Sequence, residues 1–277
     1  MAFLTCHLFS HVLGSNIALN VSLPTPGSGD SMNPDTLGRD FGYEKGLPVA
    51  YLLHGMFGDA DSWVRYSNID RYAQDRRIVL VMCSAGNSFY QKMAFGPDYE
   101  AFFTRELPAY ICSLFPVSPR REDTFIGGFS MGGYGAWHLA LTAPERFSRA
   151  ASMSGALDLV SLYRDRENNP MLTPFCWEAI FGRKESLEGT SSDLFAQYAR
   201  CRAAGTVPDL YQACGTEDFL YQMNQGVRDR LLSEKAKLIW NEGPGGHDWT
   251  FWDREIQHVL DWFLKDREKI ASGVIMG

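Results

Sequence analysis

Short apolar runs alternate with amphipathic segments along most of this 277-residue chain, and this alternation constrains the fold more than any other feature. The runs PVAYLL and IVLVM are apolar throughout, which is typical of strands that are buried on both faces of a parallel sheet. Segments with helical spacing follow them, at Ser62–Asp75 and Tyr99–Phe115. The pattern predicts an α/β fold with a mostly parallel central sheet and helices on both of its faces.

The alternation is preceded by a predicted hairpin and is interrupted once. Leu4–Leu13 and Ile17–Leu23 have β-rich composition. After the strand RAASMS, residues 155–205 mix Asn and Pro with large aromatic side chains, and then PDLYQAC, a helix near Phe219–Leu232 and the strand AKLIWNE restore the pattern. Because strand-helix units lie on both sides of the break, we predict a single domain over residues 1–277 with a lid-like insertion at about 155–205.

Composition and charge exclude several classes of protein. The net charge is −7 and no long cluster of Lys and Arg occurs, so we expect no nucleic-acid partner and no anionic membrane partner. The first residues lack a basic leader, and no apolar run approaches the roughly 18 residues of a membrane span, so a cytoplasmic location is expected. The six cysteines form no C-x-x-C pair, and H-E-x-x-H is absent, so we predict no metal and no cofactor.

The segment GFSMG, residues 128–132, matches the pattern G-x-S-x-G. It lies between the apolar strand Thr124–Phe129 and a helical segment, Gly132–Thr142. A sharp turn from strand to helix needs small neighbours so that the serine hydroxyl can project above the sheet. A phosphate-binding loop would need a following Lys, and a dinucleotide loop would need G-x-G-x-x-G. The context therefore favours Ser130 as a nucleophile.

A serine nucleophile needs a base, usually an imidazole that a carboxylate orients. Only His247 and His258 follow Ser130; His247 lies in the loop GPGGH after a strand, whereas His258 lies within a helical pattern. The segment GTED, which follows the strand PDLYQAC, contains two candidates for the acid, Asp218 and Glu217. We favour Asp218. A role for Asp218 as a helix N-cap remains an alternative.

An oxyanion hole in this arrangement takes one backbone N–H from the residue after the nucleophile, here Met131, and one from the loop after an earlier strand. The segment HGMFG ends the strand PVAYLL, and we favour Met56 as the second donor, with Phe57 next. His54 is predicted to brace this loop through side-chain hydrogen bonds.

Four segments, HGMFGD, GGFSMGGYGA, CGTEDFLY and GGHDWTFWD, together resemble the esterase D-like group of α/β-hydrolases. The resemblance covers nearly the whole chain, and its motifs are most similar to those of tributyrin esterase-type acyl esterases. It implies the α/β-hydrolase fold, with Ser130 as nucleophile, Asp218 rather than Glu217 as acid, and His247 as base. It also implies a possible homo-oligomer.

The expected activity is that of a serine carboxylesterase that hydrolyses short-chain acyl esters, acetyl to butyryl, through an acyl-enzyme. The expected partner is a small-molecule ester, and an acylated sugar is one candidate. Phe57, Trp63 and Trp177 are predicted to bind substrate, although each could equally be a core residue. The alternatives are a feruloyl or acetylxylan esterase, an S-formylglutathione hydrolase, an acyltransferase and a catalytically inactive binding protein.

Overall fold

The structure is a computed structural model that describes residues 1–27, 41–168 and 177–267. Its strands are β1 (Ala2–Ser10), β2 (Ser15–Leu23), β3 (Val49–Leu53), β4 (Val79–Cys83), β5 (Thr124–Phe129), β6 (Arg149–Met153), β7 (Asp209–Gly215) and β8 (Leu238–Gly243). They form one sheet in the order β1-β2-β4-β3-β5-β6-β7-β8. The pairs β1–β2 and β2–β4 are antiparallel and the other five pairs are parallel, which confirms the mostly parallel sheet.

The predicted hairpin forms one edge of this sheet. β1 and β2 pair along their full length, from Ala2 opposite Leu23 to Ser10 opposite Ser15. Both strands begin two residues earlier than the predicted stretches, and the turn between them contains Gly14 at φ 65°. This left-handed backbone conformation favours glycine.

Helices cover both faces of the sheet. They are α1 (Ser62–Tyr66), α2 (Ile69–Arg76), α3 (Tyr99–Ala101), α4 (Leu107–Leu114), α5 (Met131–Thr142), α6 (Leu159–Arg164), α7 (Trp177–Phe181), α8 (Leu194–Ala204), α9 (Tyr221–Ser233) and α10 (Trp249–Phe263). Side chains of α1, α2 and α10 pack into one hydrophobic cluster, and those of α4, α5, α8 and α9 pack into the other. The strands β3 to β6 are buried along their whole length between the two layers.

Two predicted helices are less regular than their sequence pattern suggested. The segment Ser62–Asp75 is interrupted at Ser67, which is extended with φ −142°, so it forms α1 and α2 rather than one helix. The segment Tyr99–Phe115 contains a π-helical turn at Phe102–Glu106 between α3 and α4. Pro108 is the second residue of α4 and lacks an N–H group, so the regular α-helical hydrogen-bond ladder cannot run through this point.

Residues 155–205 leave and rejoin the sheet between neighbouring strands. β6 pairs directly with β7, with Ala151 opposite Tyr211. Within this stretch lie α6, α7 and α8, while residues 169–176 lie outside the described part of the chain. The function of the stretch as a lid stays a prediction.

No helix in the described ranges has both the length and the apolar character to cross a membrane. α10 is the longest of those helices, with 15 residues, and a span needs about 20.

Helix α5 packs very close to the sheet. A Cβ atom added at Gly132 would lie 2.6 Å from the backbone oxygens of both Leu53 and His54. Backbone atoms cannot move aside as a flexible side chain can. The contact between α5 and the end of β3 therefore requires a residue without a side chain.

We predict that Gly132→Ala lowers the free energy of unfolding by about 1–3 kcal/mol, because the added methyl group overpacks this contact. The matched control is Gly226→Ala within α9, where an added Cβ has no neighbour within 4 Å. There, alanine should raise stability by about 0.8–1 kcal/mol through helix propensity. Urea unfolding of both variants checks the prediction, and equal effects of the two would contradict it.

Candidate active site

Four parallel strands end at the same edge of the sheet, and the segments that follow them meet there. Residues 54–58 follow β3, Ser130 follows β5, residues 216–218 follow β7, and residues 244–247 follow β8. Open α/β sheets bind their ligands at this carboxyl edge. All the residues predicted to carry the chemistry therefore lie on the same side of the molecule.

Ser130 occupies a strained turn between β5 and α5. Its backbone has φ 57° and ψ −122°, and its amide donates a hydrogen bond of 3.0 Å to the Met153 carbonyl. An added Cβ at Gly128 would lie 2.5 Å from the Gly132 oxygen, so the turn closes only with glycine there. This geometry places the Ser130 side chain at the sheet edge rather than inside the sheet.

The predicted serine, histidine and aspartate form a hydrogen-bonded chain. The His247 Nε2 atom lies 2.9 Å from Ser130 Oγ, and His247 Nδ1 lies 2.9 Å and 3.1 Å from the two carboxyl oxygens of Asp218. A carboxylate only accepts hydrogen bonds, so it keeps the proton of the neutral ring on Nδ1. The Nε2 lone pair is then available to accept the proton of the Ser130 hydroxyl.

The environment of Asp218 favours its ionised form. Burial of its side chain raises the pKa, but the hydrogen bond and the charge of His247, together with the Leu220 amide, outweigh that effect and lower the pKa below its ordinary value. The Asp218 side chain is fully buried. A charged carboxylate in this position can stabilise an imidazolium on His247.

Two nearby carboxylates have other partners. Glu217 is exposed and accepts hydrogen bonds from the Gly245 amide and, at 2.9 Å, from the Thr216 hydroxyl. Asp248 caps α10 by accepting from the amides of Thr250 and Phe251. Glu217 therefore fixes the loop that carries His247, whereas Asp218 contacts the imidazole itself.

The amides predicted for the oxyanion hole differ in their partners. The Phe57 amide donates a hydrogen bond of 2.9 Å to the side-chain oxygen of Asn87. Within the described residues, no protein acceptor takes the amide hydrogen of Met56 or of Met131. An added Cβ at Gly55 would lie 3.1 Å from Ser130 Cβ, so the loop with Met56 passes close to Ser130. This arrangement favours Met56 over Phe57 as the donor.

His54 braces this loop, as the sequence predicts. Its Nε2 accepts a hydrogen bond of 2.9 Å from the Ala85 amide, and Nδ1 donates to the Gly55 carbonyl at 2.7 Å. The two bonds require the neutral ring with its proton on Nδ1. Burial accordingly lowers the pKa of His54.

A cleft of about 530 Å³ opens beside Ser130 and His247. Aromatic side chains make up much of its wall, namely Phe57, Tyr66, Phe129, Phe219, Trp249 and Trp252. Phe57 is 77% exposed and stands at the predicted position by the site. The cleft is suited to a small substrate with an apolar part.

Two predicted substrate-binding residues belong to the core instead. Trp63 is 1% exposed, packs edge-on against Phe129 and Trp249, and donates a hydrogen bond to the Leu53 carbonyl. Trp177 is 7% exposed and packs against Phe89 and other aromatic rings. Neither residue lines the cleft, which is a correction to the sequence-based prediction.

The sequence analysis did not predict Phe219, Trp249 and Trp252 as residues of the cleft wall. The Phe219 ring lies 4.5 Å from the His247 ring, and Trp252 meets that ring edge-on at 5.0 Å. Trp249 stacks on Tyr66 at the cleft wall. Phe219 directly follows Asp218, and Trp249 and Trp252 lie two and five residues after His247. These positions were a usable signal, because residues close in sequence to the predicted acid and base lie at the same sheet edge.

No metal-binding cluster occurs in residues 1–27, 41–168 or 177–267. No three His, Cys, Asp or Glu side chains lie together there in a group that could hold an ion.

Comparison with known proteins agrees with this geometry. The esterase family matches residues 10–263. This chain belongs to the esterase family. An acetyl esterase of Caldicellulosiruptor saccharolyticus is 30% identical over 270 residues, which cover 96% of this chain and 99% of that one.

Two solved structures from Staphylococcus aureus are similar to this esterase. FphF, a fluorophosphonate-binding serine hydrolase, has 33% identity and a TM-score of 0.83, with 96% of this chain and 99% of that chain covered. The S-formylglutathione hydrolase FrmB has 32% identity and a TM-score of 0.78, with 95% and 98% covered. The chain is therefore a carboxylic ester hydrolase with the α/β-hydrolase fold, and the predicted resemblance to the esterase D-like group is confirmed.

We predict that Asp218→Asn lowers kcat by about 10³–10⁴-fold, because an amide no longer fixes the imidazole tautomer or stabilises its charge. Glu217→Gln keeps an oxygen acceptor for Gly245 and should change kcat by less than about threefold. Steady-state hydrolysis of nitrophenyl acetate measures both effects. The reverse ranking would assign the acid to Glu217.

The lowered pKa of His54 predicts a pH-dependent stability. The ordinary pKa of 6.5 applies to the unfolded chain, so the unfolded state binds more protons than the folded state just below this pH. Neutral His54 contributes to the free energy of unfolding above about pH 6.5. This contribution is therefore lost as the pH falls towards the lower folded-state pKa. Between about pH 8 and about pH 5, the free energy of unfolding measured in urea should fall less for His54→Gln than for wild type. An equal loss would contradict this assignment.

Proposed function

We propose that the protein hydrolyses short-chain acyl esters, acetyl to butyryl, through an acyl-enzyme formed on Ser130. His247 is the general base, Asp218 orients it, and the amides of Met56 and Met131 bind the oxyanion. The observation that carries the proposal is the unbroken hydrogen-bonded chain from Asp218 through His247 to Ser130.

Acylation begins when the Ser130 oxygen attacks the ester carbonyl carbon and His247 Nε2 takes the hydroxyl proton. The carbonyl oxygen becomes an oxyanion, which the two backbone amides stabilise by donating hydrogen bonds. Met131 begins α5, so the partial positive charge at that helix N-terminus also favours the oxyanion. The C–O bond to the alcohol then breaks, and His247 returns its proton to the departing oxygen.

Deacylation repeats these steps with water in place of serine. His247 takes a proton from the water as it attacks the acyl carbon, and the second oxyanion occupies the same hole. The bond to Ser130 Oγ breaks, the serine recovers its proton from His247, and the carboxylic acid leaves. Asp218 stays ionised throughout, since it stabilises the transient positive charge on the ring.

The cleft and a relative support a small ester as substrate. The cleft of about 530 Å³ has the size of a small-molecule site, and its aromatic wall suits an apolar acyl or alcohol group. The relative that covers nearly the whole chain is an acetyl esterase. An acylated sugar would also fit this class of substrate, because exposed aromatic faces such as Tyr66 can stack on a sugar ring.

We predict that Ser130→Ala abolishes hydrolysis of nitrophenyl butyrate and covalent labelling by a fluorophosphonate, because the attacking oxygen is removed. The matched control is Ser152→Ala, whose buried hydroxyl has no partner within the described residues. This control should keep its activity and its labelling. Wild-type turnover by Ser130→Ala would remove Ser130 as the nucleophile.

A series of nitrophenyl esters tests the acyl-length preference. We expect kcat/KM to be highest between acetyl and butyryl and to fall about tenfold or more by octanoyl, since each added methylene must find room in the cleft. Feruloyl esters and S-formylglutathione belong in the same series. A higher kcat/KM for either of these than for the short esters would reassign the substrate class.

A further inference from the structure

Four hydrogen bonds join the loop after β4 to the loop after β3. The Ala60 amide donates to the Ser84 hydroxyl at 2.9 Å, and the Ala85 amide donates to His54 Nε2 at 2.9 Å. Further along, the Tyr90 hydroxyl donates to the His54 carbonyl at 2.9 Å. The fourth bond joins the Phe57 amide to the Asn87 side chain. Residues 84–90 thus hold residues 54–60 along their length.

The loop of residues 84–90 itself has an unusual backbone conformation. Gly86, Phe89 and Tyr90 all have positive φ, at 53°, 51° and 57°. A left-handed conformation is costly for bulky residues and persists only where the surroundings fix it. Phe89 and Tyr90 are 1% and 0% exposed, so the core fixes them. The loop therefore presents Asn87 from a rigid support.

The hydrogen bond that Asn87 accepts from the Phe57 amide acts on the peptide next to the one that carries the Met56 amide. Residues 55–58 form a turn in which the Gly58 amide donates to the Gly55 carbonyl at 3.2 Å. Phe57 has φ 65° at the third position of this turn, where glycine is normally required. The conformation of Phe57 is thus strained, and Asn87 is the side chain that accepts its amide hydrogen.

The same turn sets the direction of the Met56 amide. The Gly55 carbonyl and the Met56 N–H belong to one planar trans peptide, so they point in opposite directions. His54 Nδ1 and the Gly58 amide both hold the Gly55 carbonyl. If the turn opened at Phe57, the Gly58 bond would be lost and His54 alone would hold the Gly55 carbonyl, so the direction of the Met56 N–H would be less firmly fixed.

We propose that Asn87 is a positioning residue of the oxyanion hole, which holds the strained Phe57 peptide and thereby aims the Met56 amide at the oxyanion. The proposal rests on the proposed function of Met56 and Ser130. It predicts that Asn87 affects the transition state and not the binding of the ground state, because the oxyanion exists only after attack.

The test compares Asn87→Ala with Asn87→Asp. Alanine removes the acceptor of the Phe57 amide, so kcat for nitrophenyl acetate should fall about tenfold while KM changes by less than about twofold. Aspartate keeps an oxygen acceptor of the same length but adds a negative charge near the oxyanion, so it should recover part of the lost kcat. Phenylboronic acid, which forms a tetrahedral adduct with the serine oxygen, should bind Asn87→Ala more weakly by the same factor as the fall in kcat.

The control is Asn68→Ala at the start of α2, where the side chain makes no capping hydrogen bond. It should leave kcat, KM and boronate affinity unchanged. Thermal unfolding of all variants separates a loss of folding from a loss of catalysis, because a positioning role predicts a fall in kcat at an unchanged Tm.

Two results would overturn the proposal. An increase in KM for Asn87→Ala at unchanged kcat would make Asn87 a substrate contact, and unchanged kcat, KM and boronate affinity would leave it without a role. Ser130→Ala in the same assay separates this failure from that of the proposed function. If Ser130→Ala is inactive and Asn87→Ala is fully active, only the proposed role of Asn87 is wrong. If Ser130→Ala is active, both the proposed function and the oxyanion assignment are wrong.

Discussion

The close approach of α5 to the ends of β3 and β5 is the constraint on which the rest of the site depends. Gly128 and Gly132 allow backbone to meet backbone there, with room for no Cβ atom. This contact forces Ser130 into its strained turn and brings its hydroxyl within reach of His247. It also places the loop with Met56 beside the N-terminus of α5, so that two amides from distant segments can face one oxygen.

Two neighbouring acidic residues after β7, Glu217 and Asp218, make different contacts. Asp218 is buried and contacts the imidazole, while Glu217 is exposed and holds the Gly245 amide of the loop that carries the same imidazole. An added Cβ at Gly215 would lie 2.0 Å from the Gly245 oxygen, so the two loops are also packed together. His247 is thus fixed both through its ring and through its backbone, which limits the entropy lost when the ring meets Ser130.

The sequence predicted much of this arrangement, and the failures have physical reasons. Fully apolar strands and the order of Ser130, Asp218 and His247 identify the sheet and the groups at its edge. Which aromatic residues face the cleft depends on packing between distant helices, so Trp63 could not be separated from the cleft wall by composition. The hydrogen bond that the Phe57 amide donates to the distant Asn87 supports the predicted preference for Met56, but no local pattern reveals this contact.

Backbone strain in the described residues is concentrated where the chemistry is proposed. Among the residues that the structure describes, seven other than glycine have positive φ. Two of them, Arg77 and Lys235, lie at the ends of helices, where a left-handed residue is ordinary. The other five, namely Phe57, Phe89, Tyr90, Ser130 and Ser154, lie in loops at the carboxyl edge of the sheet. Each costs of order 1–3 kcal/mol, so the buried sheet and its two helical layers must offset several kcal/mol to keep these loops in place. A rigid site needs no rearrangement as charge develops, and this is the advantage that offsets the lost stability.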